Sequence, residues 1–377
     1  MILCKTIPAV LILALLATSG VQAAPATFTY SNPIGFQYTT EHTIDQKELR
    51  DPCIIRDGDT YYCVFTMWPF ANKEDGRMSL PDNGSSPGIR IYSSKDLKNW
   101  APGEWLVKSS ELPEDCPYKH RFWAPEIHKI NGKFYLIFTA DNWLKKEYNP
   151  SGEWGYHAFV GVADKVTGPY RHITYIKDSA CDTTIMDGGD GKIYAIMPFG
   201  DLFEQEIDLS RLEEDKITLG ERKKILSKTS DDPAQSTPSY LEGPWGMKIG
   251  KRYYVFYAEN IEKEGYWTGV AYADNPLGPW RKDPRVKLFE GGHLAVFQGP
   301  NDRPWFSYRG ESGGPAAGRL CADPFTIAED GTVQPIAPTT GPQTITLPPL
   351  LKPVAPAKHF LTDKKRPDKK HGSHGKY

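Results

Sequence analysis

One hairpin design recurs five times along the chain, and this repeat restricts the fold more than any other feature of the sequence. Each copy has an apolar stretch, a tight turn and a run rich in aromatic and β-branched residues. Such runs on both sides of a short turn are typical of β-hairpins. The turns are 74, 59, 59 and 52 residues apart. In chain order they contain Gly58, Gly132, Gly191, Gly250 and Asp302.

Further strand candidates lie between the hairpins, at residues 88–92, 159–163 and 269–273. Each period of the repeat therefore holds about four strands, which is one blade of a β-propeller. Radial repetition lets every blade bury its faces against its neighbours and leaves few open sheet edges. The sequence predicts an all-β chain that folds as a five-bladed β-propeller. The alternative is a β-sandwich with accidental similarity between hairpins, but five recurrences in matching order argue against it.

The two ends of the chain differ from this repetitive body. Residues 1–23 have the features of a secretory signal peptide, in which Lys5 precedes an apolar run and cleavage follows Ala23. That run is too short to span a membrane and no other stretch is apolar enough. We therefore expect no membrane span and a secreted or periplasmic protein. Residues 24–352 form the predicted propeller, and residues 353–377 are interpreted as a disordered basic tail.

Charge is distributed unevenly along the chain, although the formal net charge is only −2. Residues 353–377 contain seven Lys and Arg against two Asp, a net charge of +5. Without this tail and Lys5 of the leader, the body carries about −8. An acidic body is not typical of a nucleic-acid-binding surface, so we expect no nucleic-acid partner. The sequence does not specify the oligomeric state.

Five cysteines follow the leader, an odd number that cannot be paired completely. They have no CxxC motif and no metal-binding spacing, so a zinc site is not expected. One interpretation is that they are small buried hydrophobic residues. The other is a disulfide between Cys53 and Cys63, which lie symmetrically about Gly58 in the first hairpin.

Three acidic residues precede the first strand of a hairpin: Asp51, Asp182 and Glu242 in the first, third and fourth copies. Equivalent strands of a propeller start at the same end of the central axis, so we predict that these carboxylates converge on one pocket. Glycoside hydrolysis needs such a set, with one acid that protonates the leaving oxygen and one carboxylate that activates water or attacks. A third carboxylate can raise the pKa of the acid. Each residue alone also fits an ordinary turn.

At these positions the sequence resembles family 43 glycoside hydrolases. Arg-Asp-Pro at residues 50–52 is similar to the general-base motif of that family, and Glu-Gly-Pro at residues 242–244 to its general-acid motif. Trp-Ala-Pro-Glu at residues 123–126 resembles another family motif. Asp182 resembles the aspartate that modulates the pKa of the acid, although Thr183 stands where the family usually has proline. The resemblance extends from about residue 48 to residue 340.

The resemblance implies an inverting glycoside hydrolase with Asp51 as base, Asp182 as modulator and Glu242 as acid. Its expected substrate is a poly- or oligosaccharide with a terminal arabinofuranosyl, xylosyl or galactofuranosyl unit. No cofactor is required, and His293 is expected on the axis near a calcium or other ion, bound directly or through water. The alternative function is a non-catalytic carbohydrate-binding propeller, which would normally have lost one of the three carboxylates.

Two further residues are candidates for substrate binding. The face of Trp123 suits the C–H face of a sugar ring, and the other interpretation of this residue is a core tryptophan. By the same resemblance, Arg319 reaches the substrate or pairs with a catalytic carboxylate; the competing interpretation is a surface arginine. The long segments 66–88 and 141–157 are predicted to form the walls of the pocket.

Overall fold

The computed structural model of this chain describes residues 26–35, 49–67, 86–141, 157–227, 240–261, 265–285, 287–310 and 318–347. The predicted leader at residues 1–23 and tail at residues 353–377 lie outside these ranges, as do most of the two predicted wall segments. Within the described ranges no helix is long and apolar enough to cross a membrane.

The first strand of the described residues, β1 (Thr27–Asn32), lies outside the repeat, and the blades then follow one another in sequence. Blade I consists of β2 (Arg50–Asp57), β3 (Thr60–Thr66), β4 (Gly88–Ser94) and β5 (Ala101–Lys108). Blade II consists of β6 (His120–Ile130), β7 (Lys133–Asp141), β8 (His157–Ala163) and β9 (Arg171–Tyr175). Blade III consists of β10 (Thr184–Asp187), β11 (Ile193–Phe199), β12 (Asp201–Asp208), β13 (Thr218–Leu219) and β14 (Lys223–Leu226).

The last two blades complete the ring, and a final strand returns to β1. Blade IV consists of β15 (Tyr240–Ile249), β16 (Arg252–Ile261), β17 (Gly265–Ala273), β18 (Arg281–Lys282) and β19 (Phe289–Glu290). Blade V consists of β20 (Gly292–Gln298), β21 (Pro304–Arg309), β22 (Leu320–Ile327) and β23 (Val333–Pro335). The final strand is β24 (Gly341–Thr346). Three short 3₁₀ helices occupy connections at Ser109–Glu111, Leu212–Glu214 and Pro300–Asp302.

This architecture confirms the predicted all-β, five-bladed propeller. All five predicted hairpins are present as the first two strands of a blade, with antiparallel pairing. The three further strand candidates are β4, β8 and β17. The first strands of the blades lie next to one another around the axis, so their starts meet at one end of the propeller.

Apolar layers fill the spaces between neighbouring blades, as radial packing requires. Between blades IV and V, for example, the ring of Phe256 meets that of Phe306 edge-on, with centroids 5.2 Å apart. Between blades V and I, Phe297 meets Tyr61 in the same way at 6.0 Å. Aromatic residues of the repeated hairpins thus bury large areas and pack with specific geometry.

The two ends of the propeller domain are joined outside the blades. Strand β1 pairs with β24 in a separate two-stranded sheet. Beneath it, the fully buried carboxylate of Asp323 on β22 accepts hydrogen bonds from Tyr30 at 2.7 Å and Asn32 at 3.0 Å. The same carboxylate accepts bonds from the hydroxyls of Tyr308 and Thr339, both at 2.6 Å. One buried carboxylate therefore connects β1 and the segment before β24 to blade V.

We expect Asp323→Asn to lower the free energy of unfolding by about 3 kcal/mol. The amide would place two N–H donors among hydroxyl and amide donors that now share an anionic acceptor, and buried donors without acceptors are costly. Chemical denaturation of the full chain measures the loss. Asp274→Asn is the matched control, because Asp274 is 89% exposed and its replacement should cost about 0.5 kcal/mol or less. Equal stability of the two variants would contradict this role of Asp323.

None of the five described cysteines forms a disulfide, and the interpretation as buried hydrophobic residues holds for four of them. The alternative disulfide between Cys53 and Cys63 is wrong. Cys53 is paired with Val64 across the hairpin, and Cys63 with Ile54. The side chains of the two cysteines consequently pack into different apolar layers on opposite faces of the blade.

Candidate active site

A backbone irregularity recurs at the start of the first strand of the blades. In blades I, II, IV and V, two residues of this strand lie opposite one residue of the second strand, which is a β-bulge. In blade III, regular pairing begins at Thr184, and Asp182 occupies the same place, two residues earlier. The residue at this place always has a positive φ. The five residues are Asp51 at 54°, Ala124 at 43°, Asp182 at 61°, Gly243 at 51° and His293 at 49°.

These five residues form a ring around the axis, which we call the axial ring. A positive φ costs little for Gly and is tolerated by Asp and His, but it is strained for Ala. The strain is retained where the surrounding sheet fixes the bulge. Gly243 provides space, because a Cβ atom at this position would lie 2.6 Å from Cγ of His293. Two small members of the ring thus make room for three titratable ones.

The predicted equivalence of the three carboxylates needs a correction. Asp51 and Asp182 share a position of the axial ring, but Glu242 lies one residue earlier, where Gly243 holds the ring position. Glu242 belongs instead to a second set of residues, each directly before a member of the axial ring. We call this set the outer ring; its members are Arg50, Trp123, Cys181, Glu242 and Gly292.

Asp51 is held by two neighbours. Its Oδ1 lies 3.0 Å from Nδ1 of His293, and its Oδ2 accepts a 2.6 Å hydrogen bond from the hydroxyl of Thr66. Burial alone would raise the pKa of this carboxyl, but the charge of His293 and the two hydrogen bonds lower it to about 2. Asp51 is therefore ionised throughout the neutral range, and each of its oxygens keeps a further lone pair.

Asp182 contacts groups from three blades. Its backbone N–H donates to the hydroxyl of Thr139 at 3.1 Å, and its Oδ2 accepts a 3.2 Å bond from the N–H of Gly243. The same oxygen lies 3.9 Å from Nδ1 of His293. Burial and the negative charge of Asp51 raise the pKa of the Asp182 carboxyl, although His293 opposes them.

His293 lies between these two aspartates as their shared cation. Burial would lower the pKa of its ring, but the charges of Asp51 and Asp182 raise it to about 10. The imidazole is therefore protonated at neutral pH, and it neutralises one of the carboxylates at the centre of the axial ring.

Glu242 has the opposite protonation behaviour from Asp51. Burial and the negative charge of Asp182 raise the pKa of the Glu242 carboxyl. The hydroxyl of Tyr266 is hydrogen-bonded to this carboxyl, and burial keeps the pKa of the phenol far above its ordinary value. Gly292 leaves space for Tyr266, because a Cβ atom on residue 292 would lie 2.7 Å from the phenol ring. The pocket thus combines an ionised carboxylate with a second carboxyl that retains its proton to higher pH.

The two predicted substrate-binding residues lie in different surroundings. Trp123 is a half-buried member of the outer ring, at the position of blade II that corresponds to Glu242 in blade IV. This placement agrees with a pocket-lining residue, and sugar stacking stays a prediction. Arg319 is exposed just before β22, and its side chain makes no ion pair with any of the three carboxylates. The competing interpretation of Arg319, a surface arginine, therefore fits its position.

His293 is the residue that the family resemblance places near an axial calcium ion. Calcium takes about six to eight oxygen ligands. The described ranges contain no group of three or more His, Cys, Asp and Glu side chains arranged to hold a metal. Nδ1 of His293 is already directed at Asp51. These residues do not fit a calcium ion bound directly by side chains, and an ion held through water remains a prediction.

Supporting residues of the pocket were missed in the sequence. Thr66 connects Asp51 to blade II, because its hydroxyl also accepts a 2.6 Å bond from the N–H of Ala124. Thr139 holds the backbone of Asp182, and Tyr266 holds Glu242. Arg309 was also missed; its guanidinium lies 6.0 Å from the centre of the Tyr266 ring. Each of the two threonines directly follows the aromatic-rich run of a predicted hairpin. This position is the one sequence signal that could have indicated them.

The chain is similar in sequence to two known glycosidases. The chain is 24% identical over 280 residues to a β-xylosidase of Bacillus subtilis, covering 68% of this chain and 46% of that protein. It is 27% identical over 283 residues to an extracellular exo-α-(1→5)-L-arabinofuranosidase of Cellvibrio japonicus, covering 67% of this chain and 72% of that protein. This chain thus spans less than half of the xylosidase.

A solved structure has a similar fold. A GH43 protein of Bacillus licheniformis superposes with a TM-score of 0.61 at 22% identity, covering 85% of this chain and 59% of that one. The family model for glycosyl hydrolases family 43 matches residues 41–333. This match includes all five blades and every member of both rings, and the chain belongs to glycosyl hydrolases family 43.

Proposed function

We propose that this chain is a secreted or periplasmic glycoside hydrolase that removes a terminal arabinofuranosyl, xylosyl or galactofuranosyl unit from a poly- or oligosaccharide. One observation carries the proposal: the pocket pairs Asp51, which His293 and Thr66 keep ionised, with Glu242, whose pKa is raised by burial and by the charge of Asp182. Two carboxyl groups whose pKa values are shifted in opposite directions suit the hydrolysis of a glycosidic bond, which needs one carboxylate and one acid. The names of the xylosidase and arabinofuranosidase relatives support the sugar classes.

In the proposed reaction, Glu242 donates its proton to the glycosidic oxygen as the bond to the anomeric carbon breaks. Asp51 accepts a proton from a water molecule as that water attacks the same carbon from the opposite face. The ion pair with His293 and the bond from Thr66 fix the orientation of the Asp51 carboxylate. Both protons are thereby accounted for, and the configuration at the anomeric carbon inverts.

Inversion is proposed because Arg-Asp-Pro at residues 50–52 resembles the general-base motif of an inverting family. Asp51 and Glu242 come from blades I and IV, and His293 of blade V lies between these blades and contacts Asp51. An inverting pair must leave room for a water molecule between the carboxyl groups, whereas a retaining pair is closer together.

A substrate screen followed by proton NMR tests this function. The enzyme is first incubated with aryl arabinofuranosides, xylosides and galactofuranosides. The first-formed sugar from the active glycoside is then observed before mutarotation, and it should have the anomeric configuration opposite to that of the substrate. A product with the configuration of the substrate would make Asp51 a nucleophile. Binding of the saccharides without hydrolysis would favour the non-catalytic propeller.

Asp182 is expected to adjust the acid rather than to react. The negative charge of Asp182 is one cause of the raised pKa of Glu242. Asp182→Asn should lower the pKa of Glu242, so that the acid loses its proton at lower pH. Activity falls as pH rises through that pKa, and the basic limb of the pH profile of kcat/KM should therefore move to lower pH. Asp187→Asn, at the other end of β10, is the control; an unmoved limb with weaker substrate binding would make Asp182 a binding residue.

A further inference from the structure

An exposed aromatic ring stands beside the acid of the pocket. Tyr240 is 50% exposed and begins β15. One residue separates it from Glu242, and pairing with β16 is regular from Tyr240 to Glu242. Because side chains alternate along a strand, Tyr240 and Glu242 lie on the same face of β15. Leu241 between them points the other way and is fully buried among the residues of blades III and IV.

The Tyr240 side chain lies within electrostatic reach of the pocket. Burial of its hydroxyl, together with the charges of Asp182 and Glu242, raises the pKa of the phenol. The ring therefore lies near the carboxylates, on the strand face of Glu242, while about half of its surface stays in solvent. Exposed aromatic surface at the mouth of a polar pocket is a common site for ligand contact.

The chemistry of the acid decides which part of a substrate can reach this ring. Glu242 must contact the oxygen of the leaving group, so the sugar that carries this oxygen extends from Glu242 toward solvent. Tyr240 is the next side chain outward on the same strand face. We propose that Tyr240 forms the subsite for the leaving-group sugar, a neutral pyranose or furanose ring whose C–H face stacks on the phenol. This inference rests on the proposed function, because it takes Glu242 as the acid.

Phe199 provides a matched control on the neighbouring blade. It is 46% exposed and ends β11, whose last residues lie at the same end of the propeller as Asp182. The guanidinium of Arg222 lies 5.0 Å from the centre of its ring. Phe199 thus offers comparable exposed aromatic surface without a place on the strand that carries the acid.

The test compares two substrates with the same terminal sugar: a linear trisaccharide and the glycosyl fluoride, whose leaving group contains no sugar. Tyr240→Ala should lose about tenfold more kcat/KM on the trisaccharide than on the fluoride, mainly through KM, as expected for the loss of one stacking contact. Tyr240→Phe should keep the wild-type ratio because it keeps the ring. Phe199→Ala should also keep it. An unchanged ratio in Tyr240→Ala, or the same change in Phe199→Ala, would overturn the assignment.

A binding measurement separates this inference from the proposed function. Calorimetric titration of Asp51→Asn with the trisaccharide should show an affinity about tenfold higher than that of the Asp51→Asn, Tyr240→Ala double variant. If the wild type binds the trisaccharide through Tyr240 but hydrolyses nothing, the proposed function fails and the subsite stands. If the wild type hydrolyses the trisaccharide, and Tyr240→Ala has the wild-type ratio of kcat/KM on the trisaccharide to kcat/KM on the fluoride, the subsite alone fails. If no saccharide is bound or hydrolysed, both fail.

Discussion

Replacement of Asp51 by asparagine should lower kcat by about 10³-fold or more on every substrate, whatever its leaving group. The variant keeps the size and shape of the side chain, but an amide cannot accept a proton from water. Proton abstraction belongs to the single displacement itself, so a better leaving group cannot compensate for its loss. Asparagine also tolerates the positive φ of this position, and the axial ring should therefore keep its backbone.

Kinetics on a series of aryl glycosides with leaving groups of different acidity measure this effect. Asp57→Asn is the matched control, because Asp57 ends the same strand and forms an exposed ion pair with Lys129; its activity should equal that of the wild type. Loss of the Asp51 charge also removes a partner of His293, so the melting temperature of each variant must be recorded. Activity of Asp51→Asn within about tenfold of the wild type would exclude the residue as the base.

The blades could be predicted from sequence because each hairpin is a local unit. The two strands of a hairpin lie within about fifteen residues of sequence. A turn residue such as Gly58 and the aromatic run that follows it therefore predict their pairing. Strands β1 and β24 escaped prediction, because residues at opposite ends of the domain pair with each other. No local pattern in either strand specifies a partner more than 300 residues away.

The pocket could be predicted only in part, because its geometry depends on the bulges. Asp51 and Glu242 look equivalent when the repeats are aligned on their acidic residues. An alignment on the prolines would have shown the offset, because Pro52 follows Asp51 directly whereas Gly243 separates Glu242 from Pro244. The positive φ of these positions leaves little trace in sequence when the residue is not glycine.

The residues that tune the carboxylates come from neighbouring strands, and their roles depend on tertiary contacts. Tyr266 belongs to an aromatic-rich strand, in which nothing distinguishes a hydrogen-bonding phenol from a core residue. Thr66 lies 15 residues from Asp51, and Thr139 lies 43 residues from Asp182. Only the folded register of the second strands brings these hydroxyls to the axial ring.

Replacement of Glu242 by glutamine should separate substrates by the quality of their leaving groups. Glutamine cannot donate a proton to the glycosidic oxygen, so hydrolysis of natural saccharides should fall by about 10²-fold or more. Aryl glycosides with acidic leaving groups need little protonation and should be affected less. The dependence of kcat on the acidity of the leaving group should therefore become steeper than in the wild type.

The pH profile provides the second measurement for this variant. The raised pKa of Glu242 keeps the wild-type acid protonated above the ordinary range of a glutamate, and activity falls as pH rises through that value. In Glu242→Gln this group no longer titrates, so the basic limb should disappear for substrates with good leaving groups. Glu206→Gln, which changes an exposed partner of Lys192, should retain both the limb and the activity.

A basic limb that persists unchanged in Glu242→Gln would assign the acid to another residue. Asp182 would then be the first candidate, because burial also raises its pKa and its carboxylate lies in the same pocket.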